Sequence, residues 1–139
     1  MKLKGKVALV TGSSTGIGKA VAILFAKEGA NVIICSNTSS EEGNKVLKEI
    51  KETGSDAIYI QADLTKEIDI KNMFNKIKEK YGKLDILINN AGRTFNTPFK
   101  DITEETITRD INTNLTSAIL CSEYAWTFIK NFVCKVFNN

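Results

Sequence analysis

The chain has 139 residues, with 42% hydrophobic and 25% charged side chains, a net charge of +3 and no histidine. That length suits one domain with its own core, and the composition is that of an ordinary soluble globular chain. The absence of histidine removes most zinc sites and every histidine-based triad, so no metal site is expected. The positive charge comes from dispersed lysines and only two arginines, Arg93 and Arg109, which gives no footprint for nucleic acid. No apolar run approaches the roughly 20 residues a bilayer span needs, so no membrane partner is expected.

The N-terminus, MKLKGKVALV, is too short and too soon broken by glycine to read as a signal peptide. Cys35, Cys121 and Cys134 follow no pair spacing, and Cys35 falls in an apolar run. Buried thiols of this kind fit a reducing, cytoplasmic setting.

In chain order, Val7–Val10 reads as a strand buried on both faces. A glycine-rich turn follows, and Ile17–Lys27 reads as a helix with Ile17, Val21, Leu24 and Phe25 as its apolar pattern, closed by Gly29. Ala30–Cys35 is a second apolar strand, and Ser36–Ser40 a polar turn. A second helix opens at Glu41 or Glu42 and stops at Gly54, its early acids and later lysines matching the helix dipole. Ala57–Gln61 is a third strand. Thr65 is the candidate cap of a helix over 66–81, with Ile70, Met73, Phe74, Ile77 and Tyr81 on one face and Gly82 at its end. Leu84–Ile88 is a fourth strand, 93–102 a loop, and Thr103-Glu104-Glu105 the start of a long helix over 104–130. Phe132–Phe137 has the composition of the start of a fifth strand.

Strands without alternation, joined by helical crossovers, imply one α/β domain over 1–139. Its expected form is a Rossmann-type, doubly wound parallel sheet with helices on both faces, truncated after about four or five strands. The open flank of the fourth strand would be adhesive.

Four stretches carry the chemistry. The first is Thr11-Gly12-Ser13-Ser14-Thr15-Gly16-Ile17-Gly18, placed between a buried strand and a helix. Gly12 permits the tight turn, Gly16 leaves room for phosphates, and Gly18 allows close packing of the helix against the strand. Ser14, Thr15 and Ile17 would border the ligand. Lys19 lacks the context of a phosphate-binding loop lysine and reads as a solvated charge.

The second stretch is Ser36-Asn37-Thr38, at the end of the second strand, where the adenosine ribose of a dinucleotide would lie. No carboxylate stands there to accept from a free 2′-hydroxyl. The hydroxyl and amide of Asn37 and Thr38 favour NADP over NAD. The third is Asp63-Leu64, whose carboxylate suits the adenine amino group while Leu64 packs on the ring; a helix-capping aspartate is the alternative. The fourth is Asn89-Asn90-Ala91-Gly92. Its amides can tie neighbouring strands, and Gly92 lets the backbone border a ligand. Asn114, in the long helix, is unfavourable on propensity and needs a reason such as holding a water or bending the helix.

Taken together, the TGxxxGIG segment at Thr11–Gly18, the pair Asp63-Leu64, the NNAG segment at Asn89–Gly92 and the asparagine Asn114 resemble the short-chain dehydrogenase/reductase family. The resemblance runs over about residues 3–125. It points to the branch containing the 3-oxoacyl-acyl-carrier-protein reductases and hydroxysteroid dehydrogenases. It implies an NAD(P)(H)-dependent oxidoreductase acting on a small-molecule carbonyl or secondary alcohol, usually as a homo-oligomer. It also implies a catalytic role for Asn114, supporting a proton-relaying water.

The family's acid/base tyrosine is followed four places later by a lysine. Here Tyr59, Tyr81 and Tyr124 are followed by Asp63, Asp85 and Phe128. The chain is therefore expected to hold the cofactor half of such an enzyme and to be catalytically incomplete alone. The alternative is a nonenzymatic nucleotide-binding or partner-binding module that pairs through the helix over 104–130.

Overall fold

The computed structural model describes residues 1–37 and 40–129, and the backbone of 137–138. Strands β1 (Val7–Thr11), β2 (Asn31–Ser36), β3 (Ala57–Gln61), β4 (Ile86–Asn89) and the two-residue β5 (Phe137–Asn138) form one parallel sheet in the order β3-β2-β1-β4-β5. The helices are α1 (Gly16–Lys27), α2 (Ser40–Glu52), α3 (Glu67–Tyr81), α4 (Glu104–Ile111) and α5 (Ser117–Ile129). Residues 132–136 of the expected fifth strand, and Cys134, lie outside the described residues.

Every residue of β1 is buried, as its unbroken apolar run requires. Because strand side chains alternate, β1 feeds two cores. Val7 and Leu9 pack with Ile33 and Leu87 beneath α3 and α5, through Ile70, Met73, Phe74, Ile77, Cys121 and Ala125. Ala8 and Val10 pack with Val32 and Ile34 on the opposite face, against Ala22 and Ala26 of α1 and Val46 and Ile50 of α2. The sheet is covered on both sides, as expected.

Three local readings need correction. In α1 the buried positions are Gly18, Ala22 and Ala26, while Ile17 and Leu24 are exposed. Small residues four apart let the helix lie close on the sheet, and the bulky side chains are left at its flanks. Thr65 does not cap α3: Lys66 is the N-cap, and Thr65 instead donates its N–H and hydroxyl to Asp63 Oδ1 at 3.1 and 2.7 Å. Lys19 is not simply solvated, because its Nζ lies 2.6 Å from Glu49 Oε1 and links α1 to α2.

The long helix is not one α-helix. A π-helical turn, Asn112–Thr116, joins α4 to α5, and Asn114 lies within it. The turn gives Asn114 the reason its propensity demanded: its Nδ2 donates to the Asp110 carbonyl one turn back at 3.0 Å.

Candidate functional site

Strand order reverses at β1, with β2 on one side and β4 on the other. At the C-terminal edge of this point the loops diverge and leave a crevice, which is where doubly wound sheets take their ligands. Its volume is about 420 Å³. Gly12, Ser14, Thr15 and Ile17 line its floor. Ser36, Asn37, Asp63, Leu64 and Thr65 form one end, and Asn90, Ala91, Gly92, Arg93 and Thr113 the other.

The turn after β1 is built by backbone demands. Gly12 has φ +63° and Gly16 φ +57°, a conformation that disfavours any side chain. A Cβ on Gly12 would lie 2.9 Å from Ala91 Cα, so the turn and the β4 loop are in van der Waals contact. A Cβ on Gly16 meets nothing within 4 Å, which leaves that position open. Gly18 faces inward, and a Cβ there would collide with the Gly12 carbonyl and the Asn90 amide. Its tight neighbour is the turn itself and not the strand.

Buried hydroxyls hold the turn in place. Ser13 Oγ donates to the Val10 carbonyl at 2.6 Å and accepts from Cys35 N–H at 3.0 Å, while Ser13 N–H donates to the Cys35 carbonyl. Thr11 Oγ1 accepts from the N–H groups of Asn90 and Ala91 at 3.0 and 2.9 Å. Asn90 Nδ2 donates to the carbonyls of Thr11 and Gly12, each at 3.0 Å. Asn89 Nδ2 reaches Ser122 Oγ at 3.0 Å and so ties β4 to α5. The amides of the NNAG segment thus bind β4 to β1 and to a helix, as the sequence suggested.

The electrostatics of the floor are distinctive. Helices α2, α3 and α4 carry Glu41 and Glu42, Glu67 and Asp69, and Glu104 and Glu105 in their first turns. Helix α1 has no acid there, and its N-cap Thr15 makes no side-chain capping bond. Its first amides and its positive dipole end therefore face the crevice without an internal anion. At the end lined by Ser36, Asn37 and Asp63, the Thr65 hydroxyl bonded to Asp63 holds that carboxyl below its ordinary range against partial burial, assisted by Thr65 N–H and Lys66. Asp63 is ionised at neutral pH and accepts bonds only. Burial pushes the Cys35 thiol, in the crevice wall, up to about 12.

Of the expected site residues, Gly12, Ser14, Thr15, Ile17, Asn37, Asp63, Leu64, Asn90, Ala91 and Gly92 come together on this one crevice. Gly16 and Gly18 shape its turn from within and behind. Thr38 lies outside the described residues. Asn114 stands behind the lining: its Oδ1 accepts from Arg93 N–H at 2.8 Å, and its Nδ2 donates to the Arg93 carbonyl at 2.9 Å. A Cβ on Gly92 would lie 2.8 Å from that same Oδ1. Sequence reasoning missed Arg93 and Thr113 as lining residues and Thr11 and Ser13 as the bonds that hold the turn. All four adjoin residues that were singled out, and adjacency was the available signal. Among the described residues there is no cluster able to hold a metal ion, and no helix long and apolar enough to cross a membrane.

A parallel doubly wound sheet with its crevice at the reversal of strand order, floored by a glycine turn and a bare helix N-terminus, is a Rossmann-type fold. The family model described as short chain dehydrogenase matches residues 6–134, and the chain belongs to that family. A hydroxynaphthalene reductase-like protein Arp2 from Metarhizium acridum is 39% identical over 129 residues, covering 93% of this chain and 48% of the relative. A short chain dehydrogenase from Burkholderia cenocepacia, solved in complex with NADP, superposes with a TM-score of 0.89 at 38% identity, covering 93% of this chain and 53% of that one. A hydroxysteroid dehydrogenase from Escherichia coli gives 0.88 at 33% identity, covering 94% and 55%. The chain thus spans about half the length of the relatives it matches.

Proposed function

We propose that this chain binds NADP(H), with NAD(H) the weaker ligand, across the crevice, as the cofactor half of an oxidoreductase that interconverts a small-molecule carbonyl and its alcohol. The observation that carries this reading is the α1 N-terminus, free of acids and side-chain caps, set behind a turn whose glycine at position 16 opens on empty space. The residues fit a dinucleotide. Gly12–Gly18 and the first amides of α1 would hold the pyrophosphate. Asn37 and Thr38 would hold the 2′-phosphate, for which neither supplies a competing carboxylate. Asp63 and Leu64 would hold the adenine, and Asn90, Ala91 and Gly92 the second ribose.

When bound, the nicotinamide supplies or takes the hydride. Asn114 serves the reacting end by fixing the backbone of Arg93 and the edge beside Gly92. Within the 139 residues no tyrosine is followed four places later by lysine, so the proton donor of the family pattern is not among them. The unpaired cysteine pattern fits a reducing, cytoplasmic setting.

The test is titration of the purified chain with NADPH and NADH, followed by nicotinamide fluorescence. Saturable enhancement with NADPH tighter than NADH is expected. No binding of either at millimolar ligand would refute the reading.

One observation favours a second role beside this. Ile107, Ile111, Leu115 and Ile119, four residues apart, and Trp126 are all about half exposed along α4 and α5. Such a stripe suits pairing through α4 and α5, with a second copy or a longer relative. Sedimentation of the chain before and after Leu115→Glu tests it: loss of a dimer supports pairing, and an unchanged monomer opposes it.

A further inference from the structure

The end of β2 is held from below by a side chain that no motif points to. In the β2–β3 ladder Ile34 is opposite Tyr59 and Ser36 opposite Gln61, so Tyr59 and Ser36 lie on the same face of the sheet. Tyr59 is half-buried and packs on the α1/α2 core. Its ring passes directly beneath Gly43 in α2, where a Cβ would collide with Cδ2 and Cε2 of the ring. Its hydroxyl ends 3.0 Å from Ser36 Oγ. Ser36 is 6% exposed and lines the crevice at the end it shares with Asn37, Asp63 and Leu64. The neighbouring backbone is held as well: Ala62 N–H donates to the Ser36 carbonyl at 3.0 Å, and Gln61 Nε2 reaches the Asn37 carbonyl at 3.5 Å.

We infer that Tyr59 is a positioning residue for cofactor choice: it fixes the Ser36 hydroxyl toward the 2′ substituent of the adenosine ribose, and Gly43 is small so that the tyrosine ring can reach. A free serine hydroxyl samples three staggered rotamers and an open rotor. In this inference the phenol is the donor: its bond to Ser36 Oγ selects one rotamer and leaves the serine proton for the ligand, so less order is lost on binding. A phosphate is an acceptor-only, charged partner, and charge-assisted bonds gain the most from a donor already in place. A ribose hydroxyl can donate or accept and gains less. The device therefore favours the phosphorylated dinucleotide. A residue that merely stabilised the fold would weaken both cofactors alike.

This inference rests on the dinucleotide reading above, and the experiment separates the two. The dissociation constants of NADPH and NADH are measured by fluorescence titration for the parent chain, Tyr59→Phe, Ser36→Ala and the double variant. Tyr59→Phe keeps the ring that fills the space under Gly43 and removes only the hydroxyl. It is expected to lower the NADPH-over-NADH preference about fivefold, the size of one ordinary hydrogen bond, with NADH affinity nearly unchanged. Ser36→Ala should lower the preference at least as much, and the double variant should lose less than the sum of the two single changes. An unchanged preference in Tyr59→Phe or in Ser36→Ala, or equal weakening of both cofactors, overturns the inference while leaving the cofactor reading intact. A parent chain that binds neither dinucleotide overturns both.

Discussion

Gly18→Ala is the sharpest single test of how the turn is built, with Gly16→Ala as its control. Both glycines belong to the same motif, yet the structure assigns them different physical reasons. At Gly16 a methyl group enters open space, and the cost is conformational: φ +57° with a Cβ costs roughly 1–2 kcal/mol. At Gly18 the backbone is ordinary helix, and alanine there gains roughly 1 kcal/mol in propensity. Against that gain, the methyl group meets the Gly12 carbonyl and Asn90 Nδ2, and that amide donates to the carbonyls of Thr11 and Gly12 at 3.0 Å each. Losing both bonds costs about 2 kcal/mol at a typical net value each. Displacing the packed turn costs a further 1–3 kcal/mol, roughly. The net expectation is a loss of about 2–4 kcal/mol for Gly18→Ala, clearly more than for Gly16→Ala. Urea denaturation followed by far-ultraviolet circular dichroism measures both. A Gly18→Ala chain as stable as Gly16→Ala would show that the contact between turn and NNAG loop does not exist as described.

Further outcomes follow from the same geometry. Gly16→Val should leave the fold in place but abolish dinucleotide binding, because its side chain would fill the open space proposed above for the phosphates; unchanged affinity in the titration would refute the turn as the pyrophosphate site. Asn37→Arg should raise the NADPH-over-NADH preference, and equal affinities after that change would refute the placement of the 2′ subsite. Thr11→Val keeps shape but removes the acceptor for two backbone N–H groups, and should cost about 2 kcal/mol in urea denaturation.

Asp85 is partly desolvated, which raises its pKa, but Lys83 Nζ at 2.9 Å, the Val7 N–H at 2.9 Å and Lys6 hold it below 3.8 overall. A carboxyl whose folded value is depressed contributes stability above its unfolded value, and that stability is lost as pH falls through the folded value. The stability advantage of the parent over Asp85→Asn, fully present at neutral pH, should therefore shrink as pH falls below about 4, as urea denaturation at several pH values would show. Burial also pushes Cys121 up to about 12, as it does Cys35, so peptide mapping should find both unalkylated by iodoacetamide at pH 8 in the folded chain and modified in urea.

The parallel sheet was legible because β1 and β2 are unbroken apolar runs and the helices between them end at glycines. Helix α3 was legible down to its face, because bulky side chains at 70, 73, 74 and 77 mark the buried stripe. Helix α1 was legible as a helix and misread as a face: where a helix must lie close to a sheet, small residues occupy the contact, and hydrophobic size then points the wrong way. The π turn at Asn112–Thr116 had no signal beyond one awkward asparagine, since it depends on a backbone partner, Arg93, distant in sequence. The crevice floor was readable from glycine spacing. The bonds through Thr11, Ser13 and Tyr59 were not, because each is a tertiary pairing between a small polar group and a strand that only the register brings alongside.

A crystal structure of the chain grown with NADPH tests the central claim most directly. The expected result is a diphosphate within hydrogen-bonding distance of the amides of residues 16–18, with the 2′-phosphate beside Ser36 and Asn37. A crevice left empty at saturating NADPH, or a dinucleotide bound with its diphosphate away from the α1 N-terminus, would contradict it.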